Sequence, residues 1–525
     1  MLIANLRTKR TLLSLAVAAA LTLSVQASAA DTLQGKVVAD EAPNYSTQSG
    51  KQYWVLTGTE QTAESNALTI NDANGTVQLP DQIPVSHIYL SDADKAVANG
   101  NQMTVGGQTS TFASAVLVMN VWADNVDSLE ADANKVTLDS NVEASGGYAF
   151  TNIFATRIGE GTIRNSETVI GDVEINVIAD PSGESDEDLG AFWAWGAYVN
   201  NRSAEAGMTS SVHFSGNSLT LSGTKIAAPE IYVDGVMTQQ VNTVVAEGNR
   251  FVLENLSIST DDGYFRGVTA FGADEVQIHR NATTVKDLTL SPKTFAVVEG
   301  MEVYGFGRAE AANNTYTADG IELNGSDLIL SGGWFQDGDS AVFANNTVSI
   351  ADVTAGSVSG ELLTVYGIQT RDVADVTANA TTVTLDKITL SPWDAGSSHE
   401  TESLWARAVS VSDAETVSAS DNLLSAHDVH VHSAILSAAY VSGEDTASVS
   451  LIGNKVELSN SETMQSTDFE NGLTIYGARA AITGNAEISR NAVSVKDVTA
   501  ADLRLYGGRY WAVGSTQNAS VVMNG

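Results

Sequence analysis

Short runs of alternating apolar and polar residues recur along the chain. In NTVSI (346–350), Val348 and Ile350 fall on one side while Thr347 and Ser349 fall on the other, and the run is rich in β-branched residues. Period-two alternation of this kind marks a strand with one buried face. Each run is headed by asparagine, and the heading repeats. It can be followed from Asn66 (NALTI), Asn101 (NQMTV), Asn134 (NKVTL) and Asn165 (NSETV) through Asn217, Asn249, Asn281 (NATTV), Asn314, Asn346 and Asn379 (NATTV) to Asn422, Asn454 and Asn491 (NAVSV). Successive headings lie 31 to 37 residues apart, apart from two gaps of 52 and 43. The phrase NATTVKDLTLSP (281–292) returns as NATTVTLDKITLSP (379–392), 98 residues on, which is three steps of the repeat.

A repeat of 32 to 33 residues has room for two or three short strands with their turns, which is one coil of a parallel β-helix. A propeller blade needs roughly 40 residues or more. The expected fold is all-β, a β-solenoid of about thirteen coils, with the aligned asparagines stacked as a ladder along the axis. Both long gaps hold an insertion, DPSGESDEDLG (180–190) and SPWDAGSSHETES (391–403), of the kind a stack of coils absorbs without losing register. A second recurring element is an apolar run ending in aromatic-Gly, as in VYG (303–305 and 365–367), IYG (475–477) and LYGG (505–508), with looser versions AWG (194–196) and AFG (270–272). Its glycine is expected to permit a bend that a side chain would obstruct. The ending ASVVMNG (519–525) parallels ASVSLIG (447–453), which runs straight into Asn454, so the chain reads as the front part of something longer.

The first thirty residues change the picture. Arg7, Lys9 and Arg10 precede the apolar run Thr11 to Val25 and the small residues Ala27 to Ala30, the layout of a secretory signal peptide. The expected organisation is a leader over 1–30, a lead-in or cap over 31–60 and repeats over 61–525. Charge then excludes a class of partner. The chain carries 63 acidic against 26 basic residues, a net charge of −37, and loss of the leader would bring this to −40. Such a field disfavours nucleic acid and anionic lipid as direct partners. Cysteine is absent, so thiol catalysis, zinc ribbons and iron–sulfur sites are not available.

Taken together, the leader, the absence of cysteine, the acidity and the N-x-V-x-[LIV] coils with aromatic-Gly turns resemble the passenger region of a bacterial autotransporter. The resemblance covers about residue 60 to the end, plus the leader. It implies a right-handed parallel β-helix, exported through a C-terminal β-barrel in the outer membrane and most often serving as an adhesin. The leading expectation is a non-enzymatic, adhesin-like role, with host or neighbouring-cell surface molecules as partners and no cofactor. No barrel pattern of alternating ~10-residue strands appears in this sequence. The alternatives are a secreted β-helical polysaccharide lyase or hydrolase, and a passive stalk.

Candidate chemistry is sparse. AFWAWGAYV (191–199) is the best candidate for a binding surface, through Trp193, Trp195 and Tyr198, because exposed aromatics stack on sugars or anchor proteins. GDSA (338–341) resembles a protease nucleophile sequence but lies within an ordinary repeat. In HDVHVH (427–432), His430 and His432 share a face, with His427 opposite, and no third metal ligand is evident. The acidic stretch from Asp180 to Asp188 matches no calcium-loop spacing. Arg308, Arg371, Arg407, Arg479 and Arg509 follow aromatic residues at similar places, and a ladder pairing them with acidic neighbours is expected.

Overall fold

In the computed structural model, residues 30–40, 51–71, 74–75, 83–112, 115–179, 190–202, 209–355, 362–390, 403–463, 472–500, 502–513 and 520–524 are described. They form no helix. Strands pair in parallel with their counterparts one coil away, making a β-solenoid of about 13 turns at a spacing of about 33 residues. The leader pattern, most of the acidic stretch and the 391–402 insertion lie outside the described residues. Contacts divide the chain into two compact units, Met1–Asp261 and Asp262–Gly525.

In the first unit, Val116–Asp132 runs level with Ile83–Asn99 on one side and Gly147–Arg164 on the other. The coils begin earlier than the sequence suggests. Ala30 pairs with Glu60 and Val37 with Ala67, so the described part of 31–60 is already solenoid. Asn66 donates from Nδ2 to Asn101 Oδ1 at 2.8 Å, and Asn101 to Asn134 Oδ1 at 3.0 Å. The ladder amides of this unit also reach the backbone of the preceding coil, as Asn101 does at Ala63 O (2.9 Å) and Asn134 at Ala98 O (2.6 Å). A buried amide needs both its donors and its acceptor engaged, and stacking identical residues at each coil supplies that.

In the second unit, Val348 and Ile350 are buried while Thr347 and Ser349 point outward, as the alternation predicts. The ladder runs Asn281, Asn314, Asn346, then resumes as Asn422, Asn454, Asn491. The residue before each ladder position has left-handed φ, for example Asn313 (58°) and Asn345 (54°), which turns the chain inward. Two predicted headings fall elsewhere. Asn165 is itself the left-handed corner and Ser166 takes the ladder place, its N–H donating to Asn217 Oδ1 at 3.1 Å. At the other, Thr381 takes the place of Asn379, which lies two residues upstream on the surface and accepts from Ser420 Oγ. The two NATTV strings are thus offset by two residues in the coil. Alternation cannot reveal such an offset, because a shift of two leaves Thr381 and Val383 facing inward like Thr283 and Val285.

The aromatic-Gly element resolves into two. Gly272 and Gly305 adopt left-handed φ (69° and 68°) at a corner. Gly196, Gly367, Gly477 and Gly507 instead mark a bend within a long strand, where Asn120 and Asn152 stand in earlier coils. A Cβ on Gly367 would lie 2.3 Å from the carbonyl oxygen of Ala408 in the next coil. Ala408 itself carries a Cβ at the bend, so the crowding can be relieved for one carbon. Replacing Gly367 by valine is expected to cost about 2 kcal/mol or more through overpacking, read as a lower midpoint in urea denaturation.

Candidate binding groove

At the bend, side chains three residues apart come together, which a straight strand forbids, so the strand closes toward its outer face and makes a groove. Around Gly196 in the first unit this groove is filled by aromatic rings. Trp195 and Tyr198, either side of Gly196, have rings 5.1 Å apart and are only 3% and 4% exposed. The Tyr198 hydroxyl donates to Gln239 Oε1 at 2.8 Å and accepts from Asn200 at 3.0 Å. Trp193 is partly exposed and stacks on Tyr232, with centroids 6.4 Å apart. Of the three residues expected to form a binding surface, two are therefore packed inside, and the physical reason is the closure of the bend upon them.

In the last five coils of the second unit the same positions are mostly polar, and several are at least partly exposed. Over five coils the outer face places four residues per coil around the bend. They are Thr364, Tyr366, Gln369 and Arg371; Trp405, Arg407, Ser410 and Ser412; Ile435, Ser437, Tyr440 and Ser442; Thr474, Tyr476, Arg479 and Ala481; and Arg504, Tyr506, Arg509 and Trp511. None of these twenty is acidic, in a chain with 63 acidic residues, and five of its fifteen arginines are here.

Guanidinium groups and rings alternate along this groove. Arg407 lies over Tyr440 at 4.0 Å, Arg479 over Tyr440 and Tyr476 at 5.1 and 5.2 Å, and Arg509 over Tyr506 and Trp511 at 4.9 and 5.2 Å. Tyr476 and Tyr506 stack at 5.1 Å, and Arg509 donates to the Tyr476 hydroxyl at 2.9 Å. Tyr366, Ser437 and Tyr476 form the buried floor, while Trp405 (38% exposed) stands at the rim; Trp511 lies on the same face in the last described coil, where Leu503 and Leu505 are exposed as well. Burial pushes the Tyr366 phenol up, opposed by the nearby charge of Arg407. No family model, curated protein or solved structure matches this chain. What the groove can do has to be read from its own chemistry.

The expected arginine–carboxylate ladder is replaced by this arrangement. Arg308 and Arg371 sit beside Glu310 (3.9 Å) and Asp372 (3.4 Å) of their own strands, at other places in the coil. Among the described residues Arg407, Arg479 and Arg509 have no carboxylate partner; Arg407 donates to Ser410 Oγ at 3.2 Å. The Nε atoms of Arg407 and Arg479 are buried without a hydrogen-bond partner. The sequence did hold a signal for the groove in Tyr476-Gly-Ala-Arg479 and Tyr506-Gly-Gly-Arg509, since Y-G-x-R across a bend brings ring and guanidinium together.

The other candidates stand apart from the groove. Ser340 of GDSA lies within strand Trp334–Ala344, level with Arg308 and Asp375. His427, His430 and His432 all point outward, because the left-handed Asp428 (φ 54°) shifts the alternation. His430 contacts Asp428 at 3.0 Å and His427 contacts Ser459 Oγ at 3.0 Å. Among the described residues no group of His, Asp or Glu is placed to hold a metal ion.

Proposed function

We propose that the chain is an exported, surface-displayed β-helical passenger that acts by binding, in the manner of an adhesin, to molecules of a host or neighbouring-cell surface. The single observation that supports it best is the groove of the second unit, whose four outward places around the bend carry no acidic residue over five consecutive coils of an otherwise strongly acidic chain. A passive stalk has no use for such a face. The leader-like first thirty residues and the lack of cysteine agree with export.

The test is antibody labelling of intact cells that carry the gene, before and after external protease, together with an attachment assay of cells lacking it. Surface label that protease removes, and attachment reduced several-fold in the deletion strain, are expected. Label that appears only after lysis, with attachment unchanged, would overturn the reading.

A further inference from the structure

We propose that the groove between Trp405 and Trp511 binds an oligosaccharide of carboxylate-bearing sugars, with Arg407, Arg479 and Arg509 holding its acid groups and the rim tryptophans covering the ring faces. This deepens the binding role proposed above and rests on it.

The slot occupied by Tyr440 shows that the missing carboxylates are not imposed by the fold. Near the start of this unit Arg266 occupies the place in its coil that Arg407 occupies later, and it is ion-paired with Glu302 of the following coil. Glu302 stands where Tyr440 stands relative to Arg407. The same geometry therefore accepts a carboxylate when the sequence provides one. At Arg407 it provides an aromatic ring, which supports the guanidinium face by cation–π contact and leaves its N–H edge unengaged by any acid. An arginine with its face stacked and its edge unpaired is preorganised for a planar carboxylate.

Rings and charge together choose the ligand class. Exposed indoles at the rim suit the apolar face of a sugar, whereas the Tyr faces on the floor are already occupied by guanidinium groups and by each other. Single-stranded nucleic acid would need free rings for successive bases.

The experiment is calorimetric titration of the full chain with a galacturonate oligomer, with cellohexaose as the neutral sugar and an oligothymidylate as the nucleic acid. Binding of the galacturonate oligomer alone is expected, weakening with added salt. Affinity should fall about tenfold or more in Arg407→Gln/Arg479→Gln, and also in Arg407→Lys/Arg479→Lys, which keeps charge but loses the planar fork and is the safer variant for folding. Trp511→Ala, at the exposed rim, should weaken binding several-fold without altering the circular dichroism spectrum. No binding of the uronate, equal binding of cellohexaose, tighter binding of oligothymidylate, or unchanged affinity in the folded lysine variant would each overturn the assignment. Cell attachment that persists in those variants sinks this inference alone, whereas sugar binding by a chain that never reaches the cell surface sinks the passenger reading alone.

Discussion

Replacing Asn314 by leucine lowers the stability of the second unit by about 4 kcal/mol, the largest effect expected of any single polar substitution in the ladder. The Asn314 amide donates to Ile278 O at 2.8 Å and to Asn346 Oδ1 at 3.0 Å. Its Oδ1 accepts from the Asn281 backbone N–H at 2.9 Å and from the Asn281 amide at 3.2 Å. Leucine fills the space but leaves two or three buried polar groups without partners, at about 1 to 3 kcal/mol each. Hydrogen exchange is the appropriate readout, because coils couple mainly to their neighbours and the loss should concentrate around residues 278–348. Asn379→Ala is the matched control. That residue heads the same NATTV string but lies on the surface, so its loss should change stability by no more than about 0.5 kcal/mol. Equal effects at the two positions would refute the assignment of Thr381 to the ladder.

Acidification should destabilise the first unit through His87. The imidazole is fully buried, its Nδ1 lies 2.7 Å from Asn120 Oδ1, its Nε2 has no partner and Trp54 packs against it with centroids 5.0 Å apart. Burial, only partly opposed by the bond to Asn120, pushes its pKa down to about 4 from the ordinary 6.5. The folded state therefore holds the neutral ring, and the unfolded chain binds more protons between these two values. Stability contributed by His87 is complete above pH 6.5, declines as pH falls and is lost below about 4, a total of about 3 kcal/mol. Denaturation midpoints measured from pH 7.5 to 4 should fall more steeply in the natural chain than in His87→Asn, which introduces the residue present at the same place in the next two coils, Asn120 and Asn152. Parallel curves for the two proteins would refute the role of His87.

Much of the fold was legible because its determinants are local and repeated. Val348 and Ile350 face inward because alternation requires it, and an asparagine that recurs at one coil length has few roles other than a ladder. The misreadings share one cause. Asn165 and Asn379 carry the right residue type at a place where the chain turns one or two residues later than the letter suggests. The tripeptide VYG at 303–305 and at 365–367 has the same composition with different demands on its glycine, left-handed φ in one case and a close carbonyl in the other.

The candidate site was much less legible. AFWAWGAYV drew attention by its density of aromatic residues, yet Trp195 and Tyr198 close on each other at the bend and are buried. The groove that carries the proposal draws its residues from five separate repeats, each unremarkable alone. From the sequence by itself came the element type, the coil length, the inward and outward faces and the acidic character of the whole, all properties of neighbours along the chain. Which way the long strand bends, and that Arg407 meets Tyr440 of the next coil while Arg266 meets Glu302, was decided only by stacking. Lateral register between coils is set by packing and hydrogen bonds across about 33 residues of chain, and no local pattern encodes it.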